Sequence, residues 1–387
     1  MTNVRETHHR THYDDARDMG ALTEASVDLV VTSPPYPMIK MWDAHFVGLD
    51  PTIAGHLQHG RPHEMFVRMH ALLEPVWDEV YRVLRPGGFA CINIGDAVRS
   101  FDGTFGLYAN HARLLDYLQR IGFTCLPAII WRKPSNAPTK FMGSGMLPAG
   151  AYVTLEHEYI LIVRKGGKRR FTPPEQQLRR ESAIFWEERN IFFSDVWTDI
   201  RGTGQSLRRE GARRRSAAFP LELALRLILM YAIKGDTVLD PFWGTGTTTL
   251  AAAAAARNSI GYEIAPGLGR LEDRLDDATL DTLQGLLRQR FDRHAEFVRS
   301  WTTQKGPLKY CNRHYDIAVM TRQEQDLFID VPCQLRAASP DEMTVIYDDT
   351  SLAWVQADRG SRLRRRVAAR PSTDAAPAKT KGQLKLF

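Results

Sequence analysis

Four cysteines stand in 387 residues, at Cys91, Cys125, Cys311 and Cys333, and no two are spaced as CxxC. That scatter excludes a zinc knuckle and a disulfide framework. No apolar run approaches the roughly 20 residues needed to cross a bilayer, and the opening MTNVRETHHRTH lacks the apolar core of a signal peptide. A cytoplasmic protein is therefore expected. A marked excess of one charge is missing too, since 51 Lys and Arg against 45 Asp and Glu leave a net of +6. Such a balance tilts only slightly toward an acidic partner. His8, His9 and His12 are close in sequence but read as a solvated, mobile terminus, so no metal is expected.

What is present is the composition of an ordinary globular chain, 43% hydrophobic and 25% charged. The length suits one large α/β domain with an appended module. SVDLVVTSPPY reads as a strand running into a proline turn, and apolar residues from Met65 to Leu84 recur at helical spacing until RPGG. FACINIGD then reads as a strand, HARLLDYLQRIGF as a helix and LPAIIW as a strand. Phe219 and Pro220 open another helix, after which GDTVLDPFWGTGTTTLAAAAAA gives strand, glycine loop and helix, and RNSIGYEI a strand tipped by Glu263. This rhythm predicts a doubly wound, mostly parallel sheet with helices on both faces.

The glycine loop lacks two things that would mark a polyphosphate site. GTGTTT has no lysine after its glycines, which excludes a P-loop, and Thr249 stands where a dinucleotide fingerprint needs its third glycine. Asp240, the rings Phe242 and Trp243, and Glu263 at the next strand end describe instead a pocket for a compact, cationic adenosine. Glu263 is placed to take both ribose hydroxyls.

DPFWGTGTT resembles the S-adenosylmethionine loop of the DNA amino-methyltransferases, and TSPPY resembles their catalytic loop. The catalytic loop comes first and the cofactor loop about two hundred residues later, an order similar to that of the β group of these enzymes. The likeness runs from YDDARDM through GYEI, about two thirds of the chain. It implies a Rossmann-like fold, S-adenosyl-L-methionine as cofactor and double-stranded DNA as partner. Residue by residue, it implies that Asp15 lies near the adenine and that Phe219 and Pro220 line the methionine end. Asp240, Pro241, Phe242, Gly244, Gly246 and Thr247 form the cofactor loop, and Glu263 completes that site.

The catalytic assignment falls on Ser33, Pro34, Pro35 and Tyr36. An exocyclic amine is a poor nucleophile because its lone pair is delocalised into the ring. Hydrogen bonds from the amine to the Ser33 hydroxyl and the Pro34 carbonyl would free that pair, while Tyr36 offers a face to a base flipped out of the duplex. Serine at the head of the loop, where other members have aspartate, favours cytosine N4, with adenine N6 as the alternative. A DNA-binding protein without turnover and an RNA or protein-amide methyltransferase are the other classes considered. VPCQL resembles the nucleophile segment of cytosine-C5 methyltransferases, but Cys333 lies far outside the matched region and is not taken as catalytic.

DNA contact is expected from the basic middle of the chain. From Arg164 to Arg215 there are 14 Lys or Arg and 7 Asp or Glu, interleaved with aromatic residues. Arg164, Lys165, Lys168, Arg169, Arg170, Arg208, Arg209, Arg213, Arg214 and Arg215 are assigned to phosphates, together with Lys40 beside the catalytic loop. The resulting divisions are 1–163 (catalytic half), 164–215 (target recognition), 216–265 (cofactor half), 266–358 (helices and a small β module) and 359–387 (a disordered basic tail). The tail ends in QLKLF, which resembles the peptide by which bacterial proteins bind the replication sliding clamp. Gln383, Leu384, Leu386 and Phe387 are its expected anchors. Whether the chain is a monomer or a homodimer is left open.

Overall fold

A computed structural model of the chain describes residues 6–133, 142–201, 219–265 and 270–357. Arg208, Arg209, Arg213, Arg214, Arg215 and the QLKLF anchors lie outside the described residues.

Among the described residues ten strands form one sheet: β1 (Glu6–His12), β2 (Val27–Thr32), β3 (Leu84–Ile94), β4 (Phe123–Arg132), β5 (His157–Lys165), β6 (Val196–Trp197), β7 (Thr237–Asp240), β8 (Asn258–Tyr262), β9 (Val331–Ser339) and β10 (Glu342–Asp348). Their order is β6-β4-β5-β3-β2-β7-β8-β1-β10-β9. The central run from β3 through β1 is parallel, and β5 and β10 run against their neighbours. The expected doubly wound architecture is what the chain adopts. Ligands of such sheets bind outside the carboxyl ends of the strands.

Both faces are covered by helices whose inward positions are apolar. The helix Pro62–Val83 buries Met65, Met69, Leu73, Val76, Trp77, Val80 and Val83 on one face. On the other, Leu221–Tyr231 packs with the alanine-rich Thr247–Ala254, whose small side chains allow a close approach. Leu221–Tyr231 precedes β7 and runs against it, so its start at Phe219 and Pro220 lies at the carboxyl edge.

Three expectations need correction. The histidine-rich opening is not a mobile terminus: Glu6–His12 is a central strand in which Thr7, His9 and Thr11 alternate inward. Thr7 and His9 are tolerated on its buried face because they find partners; His9 Nδ1 meets Ser259 Oγ and Nε2 meets Thr7 Oγ1, both at 2.8 Å. The ring is thus held by hydroxyls. Among the described residues no cluster suited to a metal occurs. The region 266–358 is a separate module only in part: its helix Asp277–Lys305 and the two-stranded pair Tyr310–Cys311 with Ala318–Val319 share a small core around Leu287, Phe291 and Tyr315, but β9 and β10 extend the main sheet, with Arg10 opposite Glu342 and Glu6 opposite Ile346. A buried ion pair between Lys234 and Asp330 fastens the same region beneath the sheet.

The third correction concerns the basic segment. Strand β5 runs against β3, with Arg164 opposite Phe89, the first residue of β3 that pairs with β5, so residues 164–170 run on toward the amino edge, opposite the carboxyl edge. Arg169 is half-buried among acids there, its Nη1 2.6 Å from Asp236 Oδ2 and its Nη2 2.9 Å from Glu175 Oε1. Lys165 Nζ donates to the carbonyls of Tyr81 and Arg82 at 2.7 and 3.2 Å. Phe185, Phe192 and Trp197 are core residues rather than exposed rings. The charge count alone could not register that Arg169 is paired with acids, Asp236 among them, or that Arg164, Lys165, Lys168, Arg169 and Arg170 stand at the edge opposite the one where ligands of such sheets bind, so their position lends the expected DNA role no support.

Among the described residues no helix is long and apolar enough to cross a membrane.

Candidate active site

The two motifs meet at the centre of the carboxyl edge. Strand β2 ends at Thr32, β7 beside it ends at Asp240, and the Thr32 hydroxyl donates to Asp240 Oδ1 at 2.6 Å. The same oxygen accepts from the Phe242 backbone N–H at 3.0 Å, and Oδ2 accepts from Thr248 Oγ1 at 2.6 Å. Asp240 is therefore a strut. It joins the last residue before the proline loop to both ends of the glycine loop.

Within the glycine loop, Gly244 and Gly246 have φ of 56° and 78°, left-handed values that turn the chain into the helix Thr247–Ala254. Trp243 is buried beneath the loop, its indole N–H donating to Thr249 Oγ1 at 2.9 Å. It is a packing residue beneath the loop and not the pocket-lining ring expected. Phe242 is partly exposed and leans on Trp77, ring centres 5.8 Å apart. Glu263 follows β8; its Oε2 accepts from the Gly244 N–H at 2.8 Å and Oε1 from the Ala265 N–H at 2.7 Å. One lone pair on each oxygen remains. Burial pushes the Glu263 carboxyl above its ordinary value.

Asp15 lies just after β1 on this edge, but Arg17 engages both of its oxygens, with Arg17 N–H to Oδ1 at 2.9 Å and Nε to Oδ2 at 2.8 Å. Burial raises the Asp15 carboxyl, but the Arg17 bonds prevail and hold it below its usual range. Lys40 is exposed and begins a single helical turn just beyond the proline loop.

The proline loop itself is largely buried. Ser33 is partly exposed, while Pro34, Pro35 and Tyr36 are covered. Asn110 staples the loop from below, its amide donating to the Pro37 carbonyl at 3.0 Å and the Gly95 carbonyl at 2.9 Å. Both amide protons are thereby used, so Asn110 Oδ1 is an acceptor and His70, 3.0 Å away, must present Nε2–H. Tyr36 is only 6% exposed, with its hydroxyl 2.9 Å from Ser33 Oγ and 3.0 Å from Glu158 Oε2. The open stacking face expected of Tyr36 is absent because Gly95 admits the ring, where an added Cβ would lie 3.0 Å from Tyr36 Cε2.

Asn93, Glu158 and Lys133 complete this cluster and were missed in the sequence. The legible signal was polar residues within apolar strands, Asn93 in CINI and Glu158 at the head of HEYILIV. Two hairpins also rise from this edge, Ala97–Phe101 with Thr104–Tyr108, and Met142–Gly143 with Ala151–Tyr152. The rings of Phe105 and Tyr152 stack between them at 4.7 Å. Cys333 is remote, on the outermost strand near its amino-edge start, and burial raises its thiol, so the nucleophile reading stays discounted.

The strut has a consequence for stability. Burial pushes Asp240 up to about 6, despite its hydrogen bonds to Thr248, Thr32 and the Phe242 N–H. An unfolded aspartate titrates near 4, so between about pH 4 and pH 6 the folded chain binds the extra proton and loses stability as pH rises. Asp240→Asn does not titrate, and its amide can donate to Thr248 Oγ1 while that hydroxyl turns to the Val31 carbonyl, 3.2 Å away. Between about pH 4 and pH 7 the stability difference is expected to move in favour of the asparagine variant by about 2–3 kcal/mol in urea unfolding. A pH-independent difference would refute the raised carboxyl. His9 and His70, pushed down by burial to about 3 and about 4, destabilise the fold in acid but cancel in this comparison.

Comparison with known proteins agrees with this geometry. A family model described as DNA methylase, covering N6 and N4 methyltransferases, matches residues 27–270. The Type II methyltransferase M.MthZI of Methanothermobacter thermautotrophicus is 49% identical over 350 residues, 89% of this chain and 97% of the relative. The Type II methyltransferase M.MjaI of Methanocaldococcus jannaschii is 51% identical over 269 residues, 67% of this chain and 88% of the relative. A Thermus thermophilus protein solved with S-adenosyl-L-methionine superposes with a TM-score of 0.53 at 36% identity, over 67% of this chain and 89% of its own. With its catalytic-loop strand and cofactor-loop strand joined through Asp240, and with relatives matched over most of its length, the chain belongs to the DNA methylase family, in the β group of the amino-methyltransferases.

Proposed function

We propose that the chain transfers a methyl group from S-adenosyl-L-methionine to N4 of a cytosine flipped out of double-stranded DNA. The observation that carries this reading is the Thr32–Asp240 bond, which sets the serine-headed loop directly beside the glycine loop. The residues fit the cofactor. Asp240 and Glu263 are buried carboxylates at one loop, with no cation among the groups that hydrogen-bond to them, an arrangement that repels polyphosphate and suits a cationic nucleoside. Glu263 retains one lone pair on each oxygen for the two ribose hydroxyls.

When bound, the cofactor supplies an electrophilic methyl on a sulfonium. The chain supplies position and hydrogen bonds. Ser33 Oγ and the Pro34 carbonyl accept the two amine protons, drawing nitrogen toward tetrahedral geometry and freeing its lone pair for in-line attack. Proline fixes the backbone at that carbonyl. Asn110 holds the loop by the next carbonyl but two, at Pro37. No covalent intermediate on the protein is involved.

For DNA contact, position at the carboxyl edge replaces charge count as the criterion. Arg201 and Phe219, the described residues flanking 202–218, both lie toward that edge, which favours Arg208, Arg209, Arg213, Arg214 and Arg215 as phosphate ligands over residues 164–170. The two hairpins joined by Phe105 and Tyr152 flank the same opening.

Mass analysis of nucleosides from DNA methylated by the purified protein is the deciding experiment. N4-methylcytosine is the expected product. N6-methyladenine alone would overturn the base assignment, and unmodified DNA would overturn the activity.

A further inference from the structure

Glu158 lies one residue inside β5, at the edge of the sheet that carries Ser33 and Tyr36. We infer that Glu158 sets the direction of the hydrogen-bond chain from Ser33 through Tyr36, so that Ser33 meets the substrate amine as an acceptor. This rests on the role proposed above for Ser33.

Donors and acceptors leave one arrangement. Tyr36 Oη has a single proton and three neighbours: Ser33 Oγ at 2.9 Å, Asn93 Nδ2 at 2.8 Å and Glu158 Oε2 at 3.0 Å. Asn93 Nδ2 only donates and an ionised carboxylate only accepts. Turning the Asn93 amide over would put Oδ1 against the Glu158 carboxylate, which Nδ2 now meets at 2.6 Å. The Tyr36 proton therefore goes to Glu158. Burial and that carboxylate push the phenol well above its ordinary value, so the proton stays on Tyr36. Ser33 must then donate to Tyr36. Its proton points into the protein, and its free lone pairs remain for an amine N–H. A serine turned the other way would donate to the amine nitrogen and occupy the lone pair that has to attack.

Only a carboxylate satisfies both sides of position 158. Oε2 accepts from Tyr36 and Asn93, while Oε1 accepts from the Lys133 ammonium, which also lies 4.4 Å above the Trp131 ring. Glutamine carries one acceptor oxygen and one donor amide. Facing Lys133, it cannot serve both, and with its oxygen on Lys133 its amide meets Tyr36 and reverses the chain. Without Lys133, glutamine is free to turn its oxygen toward Tyr36 and restore the direction. Glu158 is thus a positioning residue with a specific rescue.

The test is single-turnover transfer of labelled methyl groups into unmethylated genomic DNA, alongside cofactor affinity and thermal melting. Glu158→Gln is expected to lower the rate by about tenfold or more, with cofactor affinity within about twofold of wild type, as for loss of an interaction that matters in the transition state. Lys133→Met combined with Glu158→Gln is expected to recover to within about threefold of wild type. A Glu158→Gln rate equal to wild type, or a double variant no faster than the single one, overturns the inference. If the single variant does not fold, an inactive but folded double variant overturns it equally. Label is counted on any base, so adenine as the product would change the substrate assignment and leave this test intact. An inactive wild-type protein would sink both.

Discussion

Ser33→Ala is expected to lower the turnover of methyl transfer by about two to three orders of magnitude, in line with the loss of one hydrogen bond aimed at the reacting atom. Cofactor affinity should stay within about twofold, since the Ser33 hydroxyl bonds to Tyr36 and to no group of the glycine loop. The separation follows from the geometry. The Ser33 hydroxyl touches Tyr36, whereas the glycine loop is held by Thr32, Asp240, Thr248 and Glu263. Removing Oγ leaves that scaffold standing and takes away the acceptor that frees the amine lone pair. Parallel measurement of methyl incorporation and of cofactor binding by calorimetry separates the two effects. Activity within threefold of wild type would refute the catalytic assignment of Ser33, and a matching loss of cofactor affinity would make Ser33 part of the cofactor site instead.

The parts of this site that were legible in the sequence are those whose residue type answers a backbone demand. Gly244 and Gly246 announce a left-handed turn, Pro34 and Pro35 a rigid one, and the apolar runs before them the strands that deliver both to one edge. The apolar spacing from Met65 likewise marked the helix Pro62–Val83. The parts that were not legible depend on partners distant in the chain. Thr7, His9 and Thr11 follow the alternation of a strand, but the burial of His9 and Thr7 is made tolerable by Ser259 and Tyr347, some 250 and 340 positions away. Arg169 counts as a free cation until Asp236 is folded against it. Glu158 acquires its meaning from Tyr36 and Lys133, one 122 positions before it and one 25. Local pattern shows where a residue sits on its own element; it is silent on which charge is cancelled.

The same distinction gives the largest structural effect expected. Gly261 lies in β8 with no unusual backbone angle, so nothing in its neighbourhood of the sequence demands glycine there. The demand comes from Trp243. A Cβ at Gly261 would lie 2.1 Å from Trp243 Cδ1 and 2.7 Å from Cγ, far inside any tolerated contact. The indole has nowhere to retreat. Its Nε1–H is held by Thr249 Oγ1, its backbone N–H by the Tyr262 carbonyl at 2.8 Å, and Gly246 presses its far edge, where an added Cβ would lie 2.8 Å from Cζ2. Gly261→Ala must therefore displace the tryptophan and with it the loop that carries Gly244 and Gly246. We expect urea unfolding to show a loss of about 3 kcal/mol or more, at the upper end for overpacked cores, together with loss of cofactor binding. Gly285→Ala is the control. It sits inside the helix Asp277–Lys305 with nothing within 4 Å of the added carbon, so alanine should be neutral or stabilising by up to about 1 kcal/mol. If Gly261→Ala unfolds at the wild-type urea concentration and still binds S-adenosyl-L-methionine, the tryptophan is not the rigid floor of the loop, and the close packing that sets the loop's position must come from elsewhere.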